Sequence, residues 1–496
     1  MLTKNQLFEI LLDWNYWNRE FPATVTRKGY EEKIANLSQS DEVVVIKGVR
    51  RCGKTTLLIN EMKRLIESGV AKENLLFINF EDVRLIGHLG VELLGLIKDT
   101  YMEFVNPQGK PYIFLDEVQN IEYWEKWVNT EYELKRSKLY VTGSNSSMLS
   151  SEIGSALSGR YVSVEVYPLS FREFLLFEDI EIESKMEFIS QKHLLNREFR
   201  AFVHEGGFPK SVEYRQNPTI QRELIEGYYN SILLKDIVAR FKLKNFNTLK
   251  ELSAFLLSNT ATYHSINKLK NSFAISYDMA RDYMEYLEKA YMILPINKFD
   301  YSLKKQQANA KKYYTIDLGL SNLLRVPNLK TKGHDLESVV LLELMRRGYR
   351  VYYYKTKGDL ECDFVVERDR EIVTLIQVTV SLSDEKTRKR ELAPFAKVIE
   401  ELGLKDVRLM VLCEDSSEVV EHDGLSIEVV NVLEWCVALN IGIYFDIVNT
   451  NLSSFIFLFI DLMQNFSNAY IFAIVFKIYF ICMKPTLCLT MEIVVY

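Results

Sequence analysis

Cysteine pairs are missing from this sequence. Its six cysteines (Cys52, Cys362, Cys413, Cys436, Cys482 and Cys488) form no CxxC pair and have no histidine partner at zinc-binding spacing. This argues against a disulfide framework or a zinc site and fits free thiols in a reducing cytosol, so a cytoplasmic protein is expected. An excess of basic charge is missing too, since Lys and Arg number 61 against 67 Asp and Glu, a net charge of −6. No global field for nucleic acid follows, although local patches stay open. Internal repeats and long low-complexity linkers are absent. The opening stretch MLTKNQLFEILLDWNYW has an early Glu and Asp and no small-residue cleavage site, and reads as an amphipathic helix rather than a secretion signal.

Also lacking is the run of about 20 uninterrupted apolar residues that a membrane helix needs. The chain is densely apolar from Val437 onward, yet NAYIFAIVFKIYFICMKP is broken by Lys477 and FIFLFIDLMQNFSN by Asp461, Gln464 and Asn465. Charges in mid-span are costly. Residues 437–496 are therefore expected to be a hydrophobic tail of unknown structure, a poorly packed or non-native extension at least as readily as a membrane span, with membrane contact left open.

A length of 496 residues calls for about three domains. After a helical lead-in (1–40), residues 41–180 alternate short apolar runs with amphipathic stretches. The runs are VVVIKG, NLLFINFE, YIFLDEV, LYVTGS and VSVEVYPLS; helical spacing occupies KTTLLINEMKRLIESG, IGHLGVELLGLIKDTYMEF and EYWEKWVNTEYELKR. Such alternation predicts an α/β fold, a parallel sheet flanked by helices. Residues 181–330 turn mostly helical and end in three helices and a basic hairpin, which describes a winged helix; residues 331–436 return to mixed α/β.

GVRRCGKTT, residues 48–56, follows the first apolar run and opens a helix. Gly48-x-x-x-x-Gly53-Lys54-Thr55 is the phosphate-loop pattern in the context its mechanism requires. The backbone N–H groups of Gly48, Val49, Arg50, Arg51, Cys52, Gly53, Lys54, Thr55 and Thr56 would cradle phosphates at a helix N-terminus. Lys54 would reach the β/γ-phosphates of ATP, and the Thr55 hydroxyl would ligate Mg²⁺. Arg50 and Arg51 either add phosphate contacts or face solvent. At the end of YIFLDEV, Asp116 would hold Mg²⁺ through water and Glu117 would orient or deprotonate the attacking water, so hydrolysis is expected rather than binding alone. Ser144, at the end of LYVTGS, either senses the γ-phosphate or caps a helix. Arg160 either projects to a neighbouring subunit's phosphate, which implies a homo-oligomer, or makes a surface salt bridge.

GVRRCGKTT, YIFLDEVQNIEYWEKWV, LYVTGSNSSMLSSEIGSALSGRY and YPLSFREFL together resemble a prokaryotic family of AAA-type P-loop ATPases that carry a C-terminal domain of unknown function. EGGFPKSV, YYNSILLKDI, KKYYTIDLGLSNLL and LESVVLLELMRRGYRVYYYKTKGDLECDFVV extend the resemblance over about residues 20–435. It implies an oligomer-forming ATPase, with Lys54, Thr55, Asp116, Glu117 and Arg160 at matching positions, and says little about biological role.

In the winged-helix reading, SYDMARDYMEYLEKA (276–290) is a recognition helix exposing Tyr277, Arg281 and Tyr283, with Lys304, Lys305, Lys311 and Lys312 on the wing. DNA contact and a protein-interaction module both remain open for it. The 335–380 stretch resembles a restriction-endonuclease-like core, in which Glu337, Asp363 and Gln377 match three positions. The resemblance requires a lysine where Thr379 stands, and Thr offers no ammonium to stabilise developing charge. Nuclease activity is therefore not expected. The leading reading is an ATP-hydrolysing AAA-type switch acting on DNA or a protein partner. A non-hydrolysing DNA-binding regulator and an ATP-gated nuclease are the alternatives.

Overall fold

The apolar runs of the first third become, in the computed structural model of the chain, a sheet of five parallel strands. They are β1 (Val43–Gly48), β2 (Leu75–Asn79), β3 (Tyr112–Asp116), β4 (Lys138–Gly143) and β5 (Tyr161–Val166), in the order β2-β3-β4-β1-β5. The structure describes residues 2–437 apart from 23, 147–156, 244, 327–330 and 416. The expected tail beyond Val437, and the stretch between Ser146 and Leu157, lie outside the described residues.

Helices α1 (Lys4–Trp14), α2 (Lys28–Ser38), α3 (Lys54–Glu67), α4 (Val91–Phe104) and α5 (Trp124–Glu133) cover this sheet. Helix α1 starts at a capping box between Thr3 and Gln6 and buries Leu7, Ile10 and Leu11, one stripe at helical spacing, in the core with Leu76, Ile78 and Leu94. Burying each such side chain stabilises the fold by about 1.5–3 kcal/mol. The lead-in also closes an open edge. Asn15, fully buried, donates to the Phe77 carbonyl at 2.9 Å and accepts from the Phe77 N–H at 2.7 Å, satisfying edge strand β2 where, among the described residues, no sixth strand pairs with it.

A helical region follows, from Phe171–Phe177 through Pro218–Ser231, and runs without a break into a π-helical segment, Ile232–Ala239. Gly207 and Asp317 tie this region to the next. Asp317 caps the helix Leu318–Leu324, accepting from the N–H groups of Gly319 (2.9 Å) and Leu320 (3.3 Å), and it also accepts from Gly207 N–H at 2.6 Å. A Cβ on Gly207 would lie 2.6 Å from the Leu169 carbonyl oxygen, so only glycine allows this approach. Burial pushes the Asp317 carboxyl up to about 6 from its ordinary 3.8, in spite of its backbone donors.

A pH-dependent stability difference follows. The native carboxyl takes up a proton near pH 6 and the unfolded one near 3.8, so acidification through this window favours the native state. Asp317→Asn has no such proton to gain. Its stability deficit relative to wild type is expected to widen by up to about 3 kcal/mol between pH 6.5 and pH 4. Urea unfolding of both proteins at several pH values measures it, and a deficit that narrows on acidification would contradict the assignment.

Residues 246–315 form three helices, Phe246–Ser258, Ile266–Phe273 and Tyr277–Lys289, and a small antiparallel sheet of β6 (Thr262–His264), β7 (Ile293–Ile296) and β8 (Lys311–Thr315) in the order β6-β8-β7. The expected hairpin of β7 and β8 is present, and its basic connection contains a short helix, Leu303–Ala308. Two side chains depart from expectation. Tyr283 is buried, because Ala280, Tyr283, Met284 and Leu287 form the apolar stripe of the third helix, and its hydroxyl donates to the Asn245 carbonyl at 3.1 Å. Lys312 is not on a wing, because it lies on the central strand of this sheet and turns inward. Tyr277, Lys304 and Lys305 are exposed, while Lys311 pairs with Glu288 at 3.5 Å.

The last described region is a six-stranded mixed sheet of β9 (Arg350–Lys355), β10 (Glu361–Arg368), β11 (Glu371–Val378), β12 (Arg408–Cys413), β13 (Glu418–His422) and β14 (Leu425–Asn431) in the order β13-β14-β12-β11-β10-β9. The helices Lys332–Arg346 and Glu385–Leu402 accompany it, and Phe395, Val398, Val411 and Ile427 fill its core. Among the described residues no helix is long and apolar enough to cross a membrane.

Candidate nucleotide site

Parallel pairing aligns the carboxyl ends of the strands, where ligands of open α/β sheets bind. The register sets Asn79 beside Asp116 and Lys47 beside Gly143, so the ends of β2, β3, β4 and β1 meet at one edge. The phosphate loop leaves β1 there. Gly48 passes so close to β5 that a Cβ would fall 2.1 Å from the Val166 carbonyl oxygen. Gly53, at φ 100°, turns the chain into α3. Val49 and Cys52 are fully buried, Arg51 is exposed, and Thr55 and Thr56 are half-buried. Burial pushes the Cys52 thiol up, so its side chain packs as an apolar group. Arg27, from α2's N-cap, donates to the Cys52 carbonyl at 2.8 Å and pairs with Glu173 at 2.8 Å, holding the loop from outside the motif.

Lys54 and Thr55 meet Asp116 and Glu117 as the sequence pattern anticipates. Thr55 Oγ1 donates to Asp116 Oδ2 at 2.8 Å, and Lys54 Nζ lies 3.3 Å from Glu117 Oε1. Lys54 also donates to the carbonyls of Gly48 (3.1 Å) and Val49 (3.2 Å). Asp116 is fully buried and accepts further bonds from Thr142 Oγ1 (2.6 Å) and Asn79 Nδ2 (2.7 Å). Burial and the adjacent Glu117 charge push its carboxyl up to about 6. Burial acts on Glu117 in the same sense, but Lys54 and Arg50 outweigh it and hold that carboxyl near 2. Glu117 adopts a left-handed backbone (φ 54°), uncommon for a residue with a Cβ, and its N–H donates to Thr142 Oγ1 at 2.9 Å. The arrangement presents one ammonium, one hydroxyl and two carboxylates with opposed proton affinities at a helix N-terminus.

Ser144 joins this constellation through Gln119, whose Nε2 donates to Glu117 Oε2 at 2.5 Å and to Ser144 Oγ at 3.2 Å. Arg50 neither faces solvent nor stands free: it is buried and pairs with Asp236 and Glu81. Arg160 lies elsewhere. Its guanidinium donates to Asn129 Oδ1 at 2.7 Å and pairs with Glu133 at 2.5 Å, both on α5. Arg27, Asn79, Glu81, Gln119, Thr142 and Asp236 were not legible as site residues. Gln119, Thr142 and Asp236 had one signal, their places in the family-like stretches YIFLDEVQNIEYWEKWV, LYVTGSNSSMLSSEIGSALSGRY and YYNSILLKDI.

A second cluster gathers the endonuclease-like positions. Lys312 Nζ donates to Glu337 Oε1 at 2.5 Å and to Glu361 Oε1 at 2.8 Å, and lies 3.8 Å from Asp363 Oδ1, beside a cleft of about 820 Å³. Gln377 is committed to Asp363 N–H (2.7 Å) and Glu391 (3.2 Å), and Thr379 is buried just beyond β11. Among the described residues no group of three or more His, Cys, Asp or Glu is placed to hold a metal ion. The cation beside these carboxylates is Lys312, delivered by β8.

Comparison with known proteins gives three matches along the chain: an AAA domain over residues 40–175, the domain of unknown function DUF8612 over 196–331, and the domain of unknown function DUF4143 over 332–435. An uncharacterized protein of Methanocaldococcus jannaschii is 32% identical over 451 residues, 88% of this chain and 96% of its own. An uncharacterized protein of Haemophilus influenzae is 30% identical over 419 residues, 83% of this chain and 98% of its own. The solved Walker-type ATPase of Pyrococcus abyssi aligns at 14% identity and a TM-score of 0.41, over 62% of this chain and 97% of that one. On its motifs, its parallel sheet and these relatives, the chain belongs to a family of prokaryotic AAA-type P-loop ATPases with additional C-terminal domains of unknown function.

Proposed function

We propose that this chain binds ATP with Mg²⁺, hydrolyses it, and uses the cycle as a switch on a partner. One observation carries the reading: Lys54 and Thr55, from the loop after β1, stand at 3.3 and 2.8 Å from Glu117 and Asp116, from the end of β3. Thr55 and Asp116 are oxygen donors of the kind Mg²⁺ takes. Lys54 would neutralise terminal phosphate charge, and Glu117, ionised at neutral pH, would orient or deprotonate water.

The partner is read from residues 246–315, whose three helices and three strands fit a winged helix. Its exposed arginine, Arg281, is already paired with Asp278 (3.0 Å) and Asp282 (2.9 Å), and Tyr283 and Lys312 are buried. A protein partner therefore suits this face better than a DNA groove. Arg160, 38% exposed at its side chain, is the residue by which a neighbouring copy would complete the pocket.

Phosphate release by wild type and Lys54→Ala, with and without double-stranded DNA and over a range of protein concentrations, tests the reading. We expect wild-type turnover that rises per chain with concentration, ignores DNA, and falls at least about 100-fold in Lys54→Ala. Equal turnover in the two proteins would sink the ATPase assignment. Stimulation by DNA would move the partner from protein to nucleic acid.

A further inference from the structure

The segment ILLKDIVA contains a carboxylate with no place in the motifs. Asp236 lies in the π-helical segment Ile232–Ala239 and is only 6% exposed. A buried carboxylate is strongly destabilising unless it is paired and hydrogen-bonded. Asp236 satisfies both conditions with groups of the nucleotide site. Arg50 Nε and Nη2 form a two-pronged pair with its oxygens, both at 2.8 Å, and Ser144 Oγ donates to Oδ1 at 2.8 Å. Arg50 is 5% exposed and Ser144 is 1% exposed, so all three are sealed from water. π-Helical turns are rare and recur at functional sites.

The contacts form a circuit. Lys54 Nζ touches Glu117 Oε1 at 3.3 Å, and Gln119 Nε2 donates to Glu117 Oε2 and to Ser144 Oγ. Ser144 donates to Asp236, and Asp236 returns to the loop through Arg50. The direction of the Ser144 proton matters here. With that proton committed to Asp236, the Ser144 oxygen is left to accept from Gln119, whose other contact fixes Glu117. An uncharged acceptor at 236 weakens the commitment and sets an amide against the Arg50 guanidinium.

We propose that Asp236 is a positioning residue of the nucleotide site, which fixes Glu117 through Ser144 and Gln119 and fixes the loop through Arg50. The catalytic constellation is thus completed by the helical region, and turnover depends on the seating of Ile232–Ala239. This rests on the ATPase reading above. It makes one carboxylate, 186 residues from its loop partner, a link between the nucleotide site and the helical region.

Steady-state turnover, nucleotide binding and thermal unfolding of the full chain test it, in wild type, Asp236→Asn, Ser144→Ala, the pair combined, and the double variant Arg50→Met/Asp236→Leu. The expected result is a kcat lowered at least about tenfold in both single variants, a nucleotide Kd within about threefold of wild type, and a combined loss smaller than the product of the two. Arg50→Met/Asp236→Leu removes both buried charges, so stability should return towards wild type while kcat stays low. Recovery of kcat with stability in that variant would make Asp236 merely structural and overturn the proposal. So would single variants within threefold of wild-type kcat, an outcome that leaves the ATPase reading standing so long as turnover still requires Lys54. Turnover absent from wild type would overturn both.

Discussion

Glu117→Gln is expected to lower the rate of phosphate release by about 100- to 1,000-fold while leaving nucleotide affinity close to wild type. This is the expected result if Glu117 orients or deprotonates the attacking water, since a positioned general base contributes about 10²- to 10⁴-fold. The substitution keeps size and shape and removes one charge. Lys54 loses its contact with Glu117 at 3.3 Å but keeps the carbonyls of Gly48 and Val49, so the loop retains its internal ties. Gln119 can still donate to an amide oxygen at position 117. Single-turnover phosphate release beside equilibrium nucleotide binding separates the two quantities. A variant that binds and turns over like wild type would remove Glu117 from the chemistry. A variant that fails to bind would assign it to ground-state contacts with the loop instead.

The loop and its two carboxylates were legible because the chemistry sits in short continuous stretches. GVRRCGKTT sets its own geometry, and YIFLDEV delivers Asp116 and Glu117 through a buried strand that places them at the sheet's edge. The five strands of the first sheet were legible for a related reason, since fully buried parallel strands read as apolar runs. What failed was whatever depends on distant pairing. Asp236 belongs to a run whose spacing is helical, and nothing in ILLKDIVA says that its carboxylate meets a loop residue 186 positions earlier. β6, three residues long, carries too little pattern to read. In Tyr283 the pattern was present, on a stripe with Ala280, Met284 and Leu287, and the hydroxyl misled; that hydroxyl is satisfied by a backbone carbonyl. Thr379 was read from one strand alone. The cation expected beside Asp363 and Glu337 comes from another sheet, out of reach of local spacing.

That lysine carries the second large effect. Lys312→Met is expected to destabilise the chain by about 3–5 kcal/mol, because it leaves buried carboxylates without their counter-ion. Lys312 is only 4% exposed and Glu337 5%, and Glu361 and Asp363 share the same ammonium. Burial would lower the Lys312 pKa, but the three carboxylates more than reverse this and hold the ammonium charged. Burial and the Glu337 charge push Asp363 well above the ordinary range, while Lys312 draws it back, so the lysine sets how much negative charge the cluster can hold. The neutralising ammonium comes from β8, a strand of the small sheet, rather than from β11. The cluster thereby joins the two sheets through Lys312 and Glu361, with Glu337 reaching in from the helix Lys332–Arg346. Denaturant unfolding of Lys312→Met beside Lys312→Met/Glu337→Gln measures the effect. The second change should return part of the loss, since it removes one of the stranded charges. A loss below about 1 kcal/mol in the single variant would mean that water, not Lys312, satisfies the carboxylates.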